Sequence, residues 1–243
     1  YRMLYKFIGS NDPNDVIKNL KRFIEEGTIS ASAPTKFNDP SECKVSIIAG
    51  ETPGEREKFY ASFGKTSLTK DEWETASPQV VKDTAVIVRN EVMNMFGVVC
   101  LTPVVDSILM WSHYSASHKG FCIGFEDAFV KSIDDYFLFD AVRYMSCVPV
   151  CNISVEGIQG LAQKLFFYKD SCWFYENERR VITSRDGIKT FDKKYIREVC
   201  LGHNADPLVE AYVKEAAINY PDIKFYKMRT DDDDYRLIRE PLI

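Results

Sequence analysis

Residues 111–126, Trp-Ser-His-Tyr-Ser-Ala-Ser-His-Lys-Gly-Phe-Cys-Ile-Gly-Phe-Glu, concentrate side chains able to do chemistry. They hold two of the three histidines, His113 and His118, beside Trp111 and Tyr114. Imidazole carries protons near neutral pH, so this segment reads as a binding edge with acid–base capacity. The five-residue spacing of the histidines does not suit a helical metal pair, and no Cys or carboxylate completes a set, so no metal is expected. A second constellation is Tyr175-Glu176-Asn177-Glu178-Arg179-Arg180-Val181-Ile182. On a strand, Glu176 and Glu178 project to one face and Arg180 continues the row. That row fits a surface ion-pair ladder. It equally fits an acid at the mouth of a cleft, stabilising a cationic transition state or bonding a ribose hydroxyl. A third is Phe37-Asn38-Asp39-Pro40, whose Asn and Asp can fix a turn before the proline, or face a ligand from a loop.

Two weaker signals are set aside. Asp231 to Asp234 is read as a solvated loop, because the alternation and closing Glu of a calcium-binding hand are missing. Gly64-Lys65-Thr66 ends like a phosphate-binding loop but lacks the preceding glycine and strand.

The elements that must position these groups are short. Met3 to Ile8 reads as a strand, and Asp12-Pro13 caps a helix whose apolar positions Val16, Ile17, Leu20, Phe23 and Ile24 repeat at helical spacing before Gly27. Thr28 to Ser32 reads as a strand, and residues 51–94 as helical insertion material. Gly97–Leu101, Gly120–Phe125, Glu178–Ser184 and Ile196–Gly202 read as strands, and Tyr136–Pro149 as two strands around a turn. Ile158–Tyr168 and Pro207–Tyr220 read as helices, with closing strands at Ile223–Met228 and Tyr235–Ile238. Strands and helices mixed without a βαβ rhythm predict an α+β fold of small antiparallel or mixed sheets with flanking helices. One domain over residues 1–243 is expected, since 243 residues can bury a sizeable core.

A composition of 45% hydrophobic and 28% charged residues with net charge -5 is that of a soluble globular chain, and it argues against broad electrostatic binding to nucleic acid. Seven cysteines form no CxxC pair, and Cys100, Cys122, Cys172 and Cys200 lie in apolar surroundings, as buried free thiols do. With no signal-peptide pattern in view, a reducing cytoplasm is the expected compartment. No apolar run reaches the roughly 20 residues a membrane helix needs, so no membrane association is expected.

Several blocks together resemble a bacterial and phage-associated family known as domain of unknown function 2971. They are Leu4-Tyr5-Lys6-Phe7, Ser32-Ala33-Pro34 with Phe37-Asn38-Asp39-Pro40, Cys100-Leu101-Thr102, Met110 to Tyr114, His118 to Phe125, and Lys169 followed by Trp173 and Tyr175-Glu176-Asn177-Glu178 with Arg180. The order of elements resembles, more distantly, ADP-ribosyltransferases, which bind NAD between a split pair of small sheets. That resemblance implies Tyr5 or Lys6 on the first strand, Thr102 or Tyr114 in the middle and Glu178 as catalytic acid, with Glu176-Asn177-Glu178 similar to the Glu-x-Glu pair of the arginine-modifying branch. Lys6 stands where that superfamily has Arg or His.

The resulting expectation is an NAD-consuming cleft, with a role in phage defence or toxin biology. Glu178, Glu176, His113 and Tyr114 would be catalytic. Tyr5, Lys6, Asn38, Asp39, Thr102, Trp111, His118 and Arg180 would hold NAD, and a protein or nucleic acid would accept ADP-ribose. The alternatives are a non-catalytic sensor module binding a nucleotide or protein, with the Glu176, Glu178 and Arg180 row as a buried network, and a metal-independent ribonuclease using His113 and His118.

Overall fold

A computed structural model describes residues 3–63 and 68–242; Gly64-Lys65-Thr66 lies outside the described residues. Strand β1 (Met3–Ile8) leads to helix α1 (Pro13–Ile24). Asp12 accepts the Asn14 amide and Pro13 occupies the first turn, the arrangement the Asp-Pro pair predicts. Val16, Leu20, Phe23 and Ile24 are buried. Gly27 turns the chain at φ +65°, and β2 (Thr28–Ala31) and β3 (Ser46–Ile48) follow. The stretch expected to be helical holds α2 (Pro53–Phe63), α3 (Lys70–Glu74) and α4 (Pro78–Met95). Next come β4 (Gly97–Leu101), α5 (Ile108–Tyr114) and β5 (Phe121–Glu126), then β6 (Tyr136–Ala141), β7 (Arg143–Met145) and β8 (Val150–Asn152). Helix α6 (Ile153–Phe167) begins earlier than its apolar period predicts and is kinked at Gly157, where φ is +65°. The chain continues through β9 (Tyr168–Asp170), β10 (Arg179–Thr183), β11 (Gly187–Thr190), β12 (Ile196–Leu201), α7 (Pro207–Asn219), β13 (Lys224–Thr230) and β14 (Leu237–Pro241).

The fold is α+β. Its largest sheet runs β1-β5-β12-β13-β14, antiparallel except where β12 meets β13. A second, antiparallel sheet runs β4-β10-β6, and three two-stranded pairs, β11-β2, β3-β8 and β7-β9, complete the described strands. The two strands expected around a turn between Tyr136 and Pro149 do not pair with each other. β6 pairs with β10 and β7 pairs in parallel with β9, because Ala141-Val142-Arg143 offers none of the Gly or Asn chemistry of a tight hairpin.

Both faces of the large sheet are covered, which is why Phe121 to Phe125 reads as an unbroken apolar run. Phe121, Ile123 and Phe125 face the main core with α1 and α7, whereas Cys122 joins Tyr5, Phe7, Met110 and Trp111 on the other side. A separate cluster under α2, α4 and α6 packs Phe59, Trp73 and Phe167. All seven cysteines are free; of the four expected to be buried, Cys122 and Cys200 are buried, Cys100 is half-buried, and Cys172 is exposed because it lies in the surface turn Ser171–Glu176. No described helix is long and apolar enough to cross a membrane.

The two larger sheets meet at one joint. The Tyr5 amide donates to the Thr102 carbonyl at 2.7 Å and the Thr102 amide returns the bond at 3.0 Å. This ties β1 to the end of β4, and the groove beside the joint holds the site.

Candidate functional site

Five charged side chains meet under this groove. The Lys169 ammonium lies 2.7 Å from Glu42, 2.6 Å from Glu176 and 3.5 Å from Glu178. The Arg180 guanidinium lies 2.9 Å from both Glu42 and Glu178, donates a second bond to Glu178 through Nε at 2.9 Å, and gives its other arm to the Phe166 carbonyl. None of the five is more than 6% exposed, so solvent screens these charges little.

Glu176 and Glu178 reach this cluster by a different route from the strand alternation their spacing predicts. Glu176 ends a 3-10 turn, Ser171–Glu176, and Asn177 takes a left-handed conformation at φ 45° before β10 begins at Arg179. Asn adopts that conformation more readily than most residues. Asp170 caps the turn by accepting the Cys172 amide at 2.8 Å. The Thr102 hydroxyl donates to the Glu176 carbonyl at 2.6 Å, and the Glu178 amide donates to the Tyr144 hydroxyl at 2.8 Å. Both backbones are held, so both carboxylates are preorganised.

The carboxylates form part of the wall of a pocket of about 520 Å³, including its open mouth, which Lys6, Asn38, Thr102 and Tyr114 also line. The Tyr114 hydroxyl donates to Glu176 at 2.5 Å. Burial pushes the Glu176 carboxyl above its ordinary pKa, and the neighbouring Glu178 charge adds to this, against the pull of Lys169. Burial also opposes ionisation of Glu178, but the charge and hydrogen bonds of Arg180, helped by Lys169, outweigh it and hold that carboxyl down to about 2. Burial and the bond to Glu176 push the Tyr114 phenol upward, and burial likewise raises the Cys100 thiol on the pocket wall, which is therefore no ready nucleophile. Lys169 is raised despite its burial, by the three carboxylates around it.

Of the residues expected from sequence, Lys6, Asn38, Thr102, Tyr114, Glu176, Glu178 and Arg180 converge on this pocket. Tyr5 borders it, yet its hydroxyl is committed elsewhere, donating to Glu198 at 2.7 Å. Trp111 is fully buried, donates to the Val105 carbonyl at 2.6 Å and packs edge-on against Phe7; it is a core residue. Asp39 stands outside the lining, accepting from Trp173 Nε1 and from Ser41. Burial opposes its ionisation, but those bonds and the Lys169 charge keep its carboxyl below the usual range. His113 is exposed, with Nδ1 bonded to the Tyr175 hydroxyl at 2.8 Å. His118 bonds Ser112 at 3.2 Å and lies flat along Trp111, so the two histidines serve different partners.

Glu42 and Lys169 are the site residues that carried no assigned role in the sequence. Glu42 meets Arg180 across 138 positions of chain, and nothing local distinguishes it from a solvated charge. Lys169 follows the apolar run Phe166-Phe167-Tyr168 and belongs to the blocks that carry the family resemblance, signals that name the residue without giving it a partner.

Residues 110–181 match the family described as Protein of unknown function (DUF2971). The match runs from α5 into β10 and contains Tyr114, Lys169, Glu176, Glu178 and Arg180. It is shorter than the sequence blocks imply, leaving Lys6, Asn38, Glu42 and Thr102 outside. No curated protein and no solved structure matches the chain, and no ADP-ribosyltransferase is among the matches.

Proposed function

We propose that the pocket binds NAD and breaks its ribosyl C–N bond, passing ADP-ribose to water or to a macromolecular acceptor. The observation that carries this reading is the Glu176–Glu178 pair: two buried carboxylates on one pocket, pushed in opposite directions. Carboxylates whose environments separate them in this way divide the work of a reaction. Glu178, held ionised, faces the positive charge that develops on the ribose as the bond breaks. The bonding pair leaves with the nicotinamide ring nitrogen, which departs neutral. The acceptor oxygen or nitrogen forms the new bond to the ribose carbon and passes its proton to Glu176, whose raised pKa makes it the better base. Lys6 supplies a point charge for a phosphate.

The test is nicotinamide release by the purified protein, alone and with cell extract, beside Glu176→Gln and Glu178→Gln. Release by the wild type, cut about 100-fold or more in a folded Glu176→Gln, is the expected result. Silence from the wild type in both conditions overturns it.

One observation favours a second reading, a non-catalytic binding module. Both oxygens of Glu178 are already engaged by Arg180, as in a network that fixes the fold. On that reading neither the wild type nor any variant releases nicotinamide, and the effect of Glu178→Gln is confined to stability.

A further inference from the structure

Beyond the pocket lining, and joined to it through Lys169, stands a rim of aromatic rings that the proposed reaction does not use. His113 lies 6.3 Å from Trp173 and 5.9 Å from Tyr175, and Trp173 lies 5.9 Å from Tyr175, centroid to centroid. Their planes meet at 72°, 66° and 44°, so none of the three stacks face to face on another, and the Lys169 ammonium covers one face of Trp173. His113 is exposed, Trp173 and Tyr175 are half-buried, and Phe174 between them is 71% exposed. Polar tethers hold the rings still: Trp173 Nε1 donates to Asp39 at 2.8 Å, and Tyr175 bonds His113 at 2.8 Å. One side chain links this rim to the pocket. The Lys169 ammonium lies 4.9 Å from the Trp173 ring centre and 2.6 Å from the Glu176 carboxylate.

Rings fixed at a surface at the cost of exposed apolar area are suited to stacking on a flat partner. Carboxylates one side chain away accept hydroxyl hydrogens. A planar heteroaromatic base joined to a hydroxylated sugar satisfies both at that spacing. We infer that the rim and pocket together form a nucleoside site, the base stacking on Trp173 and Tyr175 and the sugar hydroxyls directed to Glu176 and Glu178. The sugar's direction rests on the proposed function; the stacking does not.

Trp73 and Trp111 are fully buried, so tryptophan fluorescence quenched by a ligand reports Trp173. The full chain would be titrated with adenosine monophosphate, nicotinamide mononucleotide and oligothymidylate, and affinities measured by calorimetry for wild type, Trp173→Phe and Trp173→Leu. Saturable quenching is expected. Affinity should fall about 5- to 100-fold in Trp173→Leu and much less in Trp173→Phe, which keeps a stacking ring. Tighter, salt-dependent binding of the oligonucleotide would make single-stranded nucleic acid the source of the nucleoside; preference for the monophosphates would make it a free nucleotide. No quenching by any probe at millimolar concentration, or equal affinity in a folded Trp173→Leu, overturns the site. Quenching without nicotinamide release keeps the site and removes the reaction. Nicotinamide release by a protein that shows no quenching with any probe does the reverse.

Discussion

Glu176 and Glu178 differ in what their charges meet. Glu178 has Arg180 on both oxygens and Lys169 beyond, whereas Glu176 shares Lys169 with two other carboxylates and otherwise bonds a neutral phenol. Removing the first charge leaves Arg180 buried with Glu42 alone. Glu178→Gln should therefore cost about 3 kcal/mol, the scale of breaking a buried pair by deleting one partner. Removing the second relieves a repulsion, so Glu176→Gln should stay within about 1 kcal/mol of wild type at neutral pH, on the stabilising side. Chemical denaturation of both variants checks the contrast; equal losses would mean the two carboxylates are equivalent. The types of these residues were legible in the sequence, but their inequality was not, because it arises from burial and from Arg180 closing on Glu178 and not on Glu176 while Lys169 is shared, which only the packing decides.

At the scale of elements, the connection from α5 to β5 is the unusual one. Ala116, Ser117 and His118 all take positive φ, at 50°, 56° and 67°, a left-handed turn built from residues other than glycine. Each costs roughly 1 kcal/mol relative to ordinary backbone. The turn persists because its surroundings allow little else. A Cβ on Gly120 would stand 2.0 Å from the Ile8 carbonyl oxygen, and one on Gly202 would stand 2.1 Å from that of His118. The Asn204 amide and side chain bond the carbonyls of His118 and Ser117. Ser117→Gly should relieve part of the strain and raise stability by about 0.5 kcal/mol after the loss of chain entropy. Thermal unfolding measures it, and a fall in stability would mean that the turn is unstrained. The sequence marked this segment by its chemistry and located Gly120 as the break, but backbone handedness is set by the neighbouring loops and was not readable from the residues themselves.

For the whole molecule, the site is a product of the joint between two sheets. Tyr5 and Thr102 bring Lys6 beside Thr102, and β9 and β10 bring Lys169, Glu178 and Arg180 beneath them. Burying so many charges links stability to pH. Glu178 is depressed to about 2, below the unfolded carboxylate range, so the unfolded chain binds more protons in between. Its contribution is fully present above about pH 4.5 and is lost as the pH falls toward about 2. Glu176 is raised and acts with the opposite sign: its contribution is present below the ordinary carboxylate range and is lost as pH rises through its raised value. Unfolding temperatures followed from neutral pH into acid should fall for the wild type and less steeply for Glu178→Gln. Parallel curves would place the acid sensitivity elsewhere.

Local chemistry was enough to determine the Asp12-Pro13 cap, the buried run of β5, the alternation of small strands with helices and the residue types of the site. These follow from capping, periodicity and hydrogen-bond capacity within a few positions of chain. Only the tertiary structure decided that Tyr5 commits its hydroxyl to Glu198, that Trp111 is core, that Glu176 and Glu178 meet through a left-handed Asn177, and that Glu42 and Lys169 complete the cluster. Long-range packing sets which charges share a buried volume, and that volume, more than the residue type, sets how each of them titrates.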